Sequence, residues 1–285
     1  MVINLHVTER CNYRCRYCFG HWGVTTERSA EQSVFADTKT ATKIMTELAN
    51  EFTSEGGLRF NFVGGEPGLL PNIADLVDVG RALGARTSYV TNGLMLRRFD
   101  AAWTAANIDV VGLSVDSAHR LTNRAIGRMT SDGRLFELDA VARMIGQVRQ
   151  IGDASIKVNT VVSRWNVDED FSDCIASLGP ERWKVLKMLP VHTLDGMIDD
   201  DQFRNFLTRH LHLRGTLVAE DNDQMTGAYV MVDPLSRFFW YAGTPTSGYC
   251  YSRPIVEVGA ARARRAVDLD TAKYAARYLA PSDGT

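Results

Sequence analysis

Three thiols could do chemistry together. Cys11, Cys15 and Cys18 stand four and three residues apart in the stretch Thr8 to Phe19. Thiolates this close on one loop can hold three corners of an iron–sulfur cluster, whose ligation by cysteine normally takes four. The fourth iron would lack a protein ligand, and an open iron is where a cofactor or substrate can bind. The spacing therefore points to a reactive cluster more than to a simple electron carrier. A structural zinc with a distant fourth ligand, or three unrelated buried cysteines, are the competing readings. Zinc knuckles favour paired C-x2-C units, and no second pair occurs here. Cys174 and Cys250 alone remain, too few for a second cluster; Cys174, near Phe171, Ile175 and Leu178, reads as core.

Other reactive groups recur at positions where strand patterns end. Gly64-Gly65-Glu66-Pro67 combines two residues that permit close backbone approach with a carboxylate able to accept from an ammonium group. Alone it is also a common turn. Thr91, Asn92 and Ser114 are polar residues at the next strand ends, where helix caps and Asx-turns are the plain alternative. Cations gather too: Arg59 with Asn61, Lys157 with Asn159, Arg182 with Lys184 and Lys187, and Arg128 in a loop. Lys157 and Asn159 share one side of their strand, as do Arg182 and Lys184. If that side faces the lumen, several cations converge at the mouth of the fold, and an anion such as a polyphosphate must join them. Solvated strand-end charges are the competing reading.

The elements that position these residues follow from periodicity. Val2–Val7 alternates as a strand and delivers the cysteine loop. Ser29-x-x-Gln32 signals a capping box, and Val34, Ala41, Ile44, Met45, Leu48 and Phe52 follow at helical spacing to a Gly56-Gly57 stop. The strand–helix unit then repeats, with strands at Leu58–Val63, Arg86–Thr91, Val110–Val115, Ile156–Val162 and Trp183–Val191. Helices are expected at Ile73–Leu83, Leu96–Ala106, Leu135–Ile151, Glu169–Leu178 and Asp200–His212. Six such units fall short of the eight of a closed barrel, which takes roughly 250 residues. The fold class expected is α/β, a partial open (β/α)6 barrel over residues 1–212. Residues 213–285 form a C-terminal extension closing the mouth, with short strands at Tyr229–Val232, Phe238–Tyr241 and Ile255–Val258 and a basic helix from Ala260 to Leu279.

The chain has 285 residues and a net charge of −2, so no global electrostatic case exists for nucleic acid or a membrane surface. No apolar run is long enough to span a bilayer, and no signal-peptide pattern precedes the first strand. An odd cysteine count with three thiols clustered fits a reducing, cytoplasmic setting.

The C-x3-C-x2-C loop with Tyr17 before its last cysteine, followed by GGEP, resembles the radical S-adenosylmethionine superfamily. The resemblance implies a [4Fe–4S] cluster on Cys11, Cys15 and Cys18, and S-adenosylmethionine on its open iron as the source of a 5′-deoxyadenosyl radical. It implies cofactor contacts from Gly64, Gly65, Glu66, Thr91, Asn92 and Ser114, with Tyr17 and Phe19 lining an adenine pocket. Three blocks narrow it further: Asn4-x-His6-x-Thr8-x-x-Cys11-Asn12-Tyr13-x-Cys15, Lys157-x-Asn159-x-Val161-x-x-Arg164-Trp165-Asn166-Val167, and Arg182-Trp183-Lys184-Val185. Together they resemble the viperin family, the nucleotide-dehydrating branch. Members abstract the 4′ hydrogen of a ribonucleoside triphosphate and eliminate water, giving a 3′-deoxy-3′,4′-didehydro nucleotide that terminates viral RNA synthesis. CTP is the family default, with UTP or GTP as alternatives.

By that resemblance Arg59, Lys157, Asn159, Arg182 and Lys184 are triphosphate-site residues, Asn4 lies near the substrate, and Arg128 lies near cofactor and phosphates. Tyr229 matches a lid tyrosine implicated after hydrogen abstraction, which makes it, with Lys157, a candidate catalytic residue. A flavodoxin- or ferredoxin-type electron donor is implied as partner. Arg59 stands where the family usually has lysine, and Met129-Thr130-Ser131-Asp132 replaces a glycine-rich loop. Animal members begin with a membrane-binding helix, whereas this sequence opens on the catalytic strand, which leads to the expectation of a microbial-type enzyme without a membrane anchor. A radical enzyme acting on a peptide or another small molecule is the alternative.

Overall fold

The structure is a computed structural model, and it describes residues 1–20, 33–52, 57–135, 137–241, 243 and 248–278. Its frame is one sheet of eight parallel strands in the order β7-β6-β5-β4-β3-β2-β1-β8. The first six are β1 (Val2–Thr8), β2 (Arg59–Gly64), β3 (Arg86–Thr91), β4 (Val110–Ser114), β5 (Ser155–Val162) and β6 (Arg182–Lys187). They follow the sequence order, as strand–helix repeats with right-handed crossovers require. The partial open barrel expected from the sequence is thus the observed architecture.

Side-chain alternation divides the sheet into a dry face and a wet one. On β5, Ile156, Val158 and Val162 are buried in the core while Lys157, Asn159 and Val161 are only half-buried on the other side. On β6, Trp183 and Val185 join the core, and Lys184 and Leu186 line a cavity on the concave face. Helices cover the dry face. Helix α1 (Thr38–Glu51) buries Ala41, Ile44, Met45 and Leu48, and Asp37 caps it by accepting from the Thr40 N–H at 2.9 Å. The remaining helices of the repeat are α2 (Ile73–Ala82), α3 (Leu94–Arg98), α4 (Ala101–Asn107), α5 (Arg120–Ile126), α6 (Leu138–Ile151), α7 (Ser172–Leu178) and α8 (Asp200–Arg209).

Several boundaries differ from expectation. The Ser29 to Gln32 capping signal and Gly56 lie outside the described residues, as does Leu279. The helix foreseen over Leu96–Ala106 is two helices, because Asp100 turns out of the first and caps the second through the Trp103 N–H at 2.7 Å. Strand β6 stops at Lys187, three residues before Pro190.

The C-terminal residues do more than cover the open end. β7 (Leu217–Glu220) pairs with β6, and after α9 (Asn222–Met225) comes β8 (Val230–Val232), which pairs with β1. Each edge of the six-stranded sheet thereby gains one strand. A hairpin of β9 (Phe239–Tyr241) and β10 (Tyr249–Tyr251) follows. Ile255–Val258, read as a strand, is the helix α10; Ile255 is buried and a left-turning Gly259 ends the helix. The expected basic helix is broken into α11 (Ala260–Arg264) and α12 (Thr271–Tyr278). β7 and β8 do not pair with each other, so the barrel stays open at a seam. Among the described residues no helix is long and apolar enough to cross a membrane.

Candidate active site

A cavity of about 320 Å³ opens on the concave face at the C-terminal strand ends. Chemistry in parallel barrels is carried at this end because the loops there can vary while the strands hold them rigidly. Cys11, Cys15 and Cys18 line the cavity, and all three are free thiols. Their loop is pinned to the end of α5 by two backbone bonds, Arg14 N to Gly127 O at 3.1 Å and Arg16 N to Ile126 O at 2.9 Å. Gly127 is required there: it has φ +88°, and a Cβ would lie against the Arg14 carbonyl oxygen.

Each sulfur faces a donor. Tyr13 N lies 3.4 Å from Cys11 Sγ, Gly20 N 3.4 Å from Cys18 Sγ, Asn92 Nδ2 3.7 Å from Cys11 Sγ and Arg128 Nη1 3.9 Å from Cys15 Sγ. Such donors stabilise sulfur that carries negative charge, as it does on iron. Burial pushes the Cys11 thiol up to about 11 and the Cys15 thiol up to about 12, so loading the site must release protons. Among the described residues no three His, Cys, Asp or Glu side chains converge closely enough to hold a single metal ion. A cubane, which carries its thiolates on separate irons, needs no protein ligand beyond these three when its fourth iron stays open.

Arg128 is buried and tied to Asp116 at 2.6 Å and to the Ser114 carbonyl at 2.6 Å. Burial opposes its charge, but Asp116 together with Cys15, Tyr17 and Tyr13 outweighs burial and holds it cationic beside Cys15. Asp116 is held in turn by the Val161 N–H at 2.7 Å. Gly64 and Gly65 line the cavity where β2 closes on β1: Gly65 N donates to Thr8 O at 2.6 Å, and a Cβ on Gly64 would stand 2.5 Å from that oxygen. Thr91, Asn92 and Ser114 also line it.

Glu66 does not. Its carboxylate is wholly buried and accepts from Thr91 Oγ1 at 2.7 Å, Asn92 N at 2.8 Å and Gly68 N at 3.2 Å. It braces the two neighbours that face the cavity, and burial pushes it up to about 7. Tyr17 packs beside Trp165, Ile126 and Met188, whereas Phe19, 41% exposed, meets His6 edge-on at 5.7 Å. These two aromatic residues serve different parts of the cavity wall.

The structure brings part of the cation group into the lumen. Lys157, Asn159 and Lys184 line the cavity. Arg59 and Arg182 begin their strands and do not line it, but both bear on Lys157 through their charge. Burial first, then Lys184, Arg59 and Arg182, holds the Lys157 ammonium well below its ordinary range. Burial also brings Lys184 down to about 8, against the pull of Glu220. Lys187, at the strand end, pairs with Asp200 at 2.5 Å.

Asn4 forms a floor with two residues of the next strands: Asn61 Nδ2 donates to Asn4 Oδ1 at 2.7 Å and Ser88 Oγ to Asn61 Oδ1 at 2.9 Å. Tyr229, just before β8, reaches Lys184 at 2.5 Å and Glu220 at 2.6 Å. Sequence reasoning missed His6, Asp116, Glu220 and Arg277 as site residues. Burial pushes His6 down to about 3, so it is neutral against the cavity. Its alternation with Asn4 and Thr8 on β1 was the signal available for it.

Comparison with known proteins fits this geometry. The radical SAM superfamily matches residues 5–175. A protein from Psychrobacter lutiphocae named S-adenosylmethionine-dependent nucleotide dehydratase is 35% identical over 98% of this chain and 94% of its own length. The chain belongs to the viperin-like nucleotide dehydratases of the radical SAM superfamily. Another dehydratase of that name, from Pseudoalteromonas ulvae, is 31% identical over 98% of the chain and 92% of its own length. Among solved structures, native anSMEcpe with bound AdoMet superposes with a TM-score of 0.66 at 16% identity, covering 96% of this chain and 82% of that one, and confirms the fold. As a radical SAM enzyme, this viperin-like protein uses a [4Fe–4S] cluster and S-adenosylmethionine.

Proposed function

We propose that this enzyme takes a ribonucleoside triphosphate, removes its 4′ hydrogen and eliminates the 3′-hydroxyl as water, giving a 3′-deoxy-3′,4′-didehydro nucleotide. CTP is the default substrate, with UTP and GTP as alternatives. The observation that carries the reading is the group of cations on β5 and β6, with Arg59 of β2 bearing on Lys157 through its charge. Lys184 is buried and Lys157 half-buried on the same cavity wall, and their like charges favour an anion of high charge that joins them. A triphosphate supplies that charge and leaves its ribose directed toward the cysteines.

The cluster and S-adenosylmethionine, when bound, supply the carbon-centred radical. The chain's own residues do the rest. Lys157 and Lys184 hold the phosphates as point charges and Asn159 adds an amide contact. Tyr13, Tyr17 and Phe19 keep water from the radical's path. After the 4′ hydrogen has left as an atom, loss of the 3′ oxygen as water needs one proton and one electron. Tyr229 lines the cavity, and its phenol passes on the proton in this reading. A flavodoxin- or ferredoxin-type donor, meeting the chain in the cytoplasm, provides the electrons.

The test is anaerobic. Enzyme with reconstituted cluster is given reductant and S-adenosylmethionine with CTP, UTP, GTP or ATP in turn. At least one triphosphate should raise 5′-deoxyadenosine well above the level without nucleotide; equal background with all four would reject the reading.

A further inference from the structure

The sheet is open between β7 and β8, yet one side chain joins those edges. Glu220 ends β7, and its carboxylate accepts from Lys184 on β6 at 2.6 Å and from the Tyr229 hydroxyl at 2.6 Å. Tyr229 directly precedes β8, at the opposite edge. A third element converges there. Arg277 of α12 reaches the same carboxylate at 2.9 Å and lays its guanidinium 4.2 Å from the centre of the Tyr229 ring. The side chains of Glu220 and Arg277 are 5% and 8% exposed.

A carboxylate in this position works against anion binding, since it cancels part of the charge that Lys184 would offer a phosphate. What it provides is direction. No backbone ladder fixes Tyr229 against β7, so the orientation of the phenol depends on its side-chain partners. Lys184 donates to the phenol oxygen at 2.5 Å while the phenol hydrogen goes to Glu220. With both functions of the hydroxyl engaged and the ring covered by Arg277, the phenol is held in one pose against the cavity.

We propose that Glu220 is a positioning residue that acts through Tyr229, clasping the open seam so that the phenol faces the substrate. The proposal rests on the triphosphate reading of the site. Glu220 touches neither cofactor nor phosphate in this role; it decides whether a substrate that has lost its 4′ hydrogen goes on to product.

The experiment compares wild type with Glu220→Gln, Glu220→Asp, Tyr229→Phe and the Glu220→Gln/Tyr229→Phe pair. Two readouts are taken. The first is the fraction of 5′-deoxyadenosine-forming turnovers that yield dehydrated nucleotide. The second does not depend on activity: the ring-carbon NMR signal of Tyr229 in the full-length protein, assigned by its loss in Tyr229→Phe. Glu220→Gln should shift that signal, and Glu220→Asp should restore it part-way. Product fraction should fall about tenfold in Glu220→Gln and in Tyr229→Phe, and the pair should be no worse than Tyr229→Phe within about twofold, since groups acting as a unit are not additive.

Product fraction is measured at saturating CTP, because Glu220 pairs with Lys184 at 2.6 Å and its neutralisation alters the charge that Lys184 offers a phosphate. An unmoved tyrosine signal with unchanged product fraction overturns the proposal, as do independent, multiplying losses in the pair. If Glu220→Gln does not fold, Glu220→Asp decides: a displaced Tyr229 signal with reduced product fraction supports the role, and wild-type values for both overturn it. Wild-type enzyme that dehydrates no triphosphate would instead reject the functional reading, leaving the tyrosine signal to judge Glu220.

Discussion

Lys184 carries the substrate argument at the scale of a single side chain. It is buried on β6 and already engaged by Glu220 and Tyr229, so a phosphate arriving there finds a pre-directed ammonium. Lys184→Ala removes a charge-assisted contact worth about 1.5–3 kcal/mol, so triphosphate affinity should weaken by roughly 10- to 100-fold by calorimetry. Cluster absorbance should be unchanged, because Lys184 touches no cysteine.

The same group sets a pH dependence. Its folded value, about 8, lies below the ordinary 10.5, so between these values the unfolded chain binds more protons and this group's effect on stability is to raise it as pH rises. Binding has the opposite sign. An anion favours the charged lysine, so affinity should hold near pH 7 and fall as pH passes about 8. Calorimetry in two buffers of different ionisation heat should detect proton uptake on binding near pH 8; no uptake would mean that Lys184 is charged before substrate arrives.

Alternation along β5 made Lys157 and Asn159 legible as neighbours on one face. Glu66 was legible only as a carboxylate: its type gave no sign that Thr91, Asn92 and Gly68 would consume it. Glu220 was silent, because its partners come from three segments far apart in sequence.

Among elements, the β1–β2 junction sets the Gly64–Gly65 side of the cavity. Gly64 has φ +127°, and a methyl group there would collide with the Thr8 carbonyl that receives Gly65 N. Gly64→Ala should cost on the order of 1–3 kcal/mol, seen as a melting temperature lower by several degrees, with loss of S-adenosylmethionine binding out of proportion to that change. Retained cofactor binding would show that the close approach is only a packing feature. Strands β1 to β6 could be read from the sequence because each runs for five or more residues. β7 and β8 have four and three residues, and such short strands take their definition from the neighbour they pair with. Ile255–Val258 failed for a related reason: four apolar residues fit a strand or a helical turn equally, and burial of Ile255 decides it.

At the scale of the molecule, a chain of net charge −2 sets Lys157 and Lys184 on the wall of one lumen and lines part of that lumen with residues after Leu213. Helix α12 contributes Tyr274, whose hydroxyl accepts from Val2 N of β1, and Arg277 on Glu220. Ending the chain before Thr271 should therefore leave the cluster loop and its colour intact while triphosphate turnover falls by about tenfold or more. Full turnover in the shortened protein would separate α12 from the site. The central claim is that the radical formed at Cys11, Cys15 and Cys18 meets C4′ of a nucleotide held by Lys157 and Lys184. It is tested most directly with a triphosphate deuterated at C4′. The account predicts deuterium in 5′-deoxyadenosine and a nucleotide product lighter by one water plus that deuterium's difference from hydrogen; 5′-deoxyadenosine without deuterium, beside unchanged nucleotide, would contradict it.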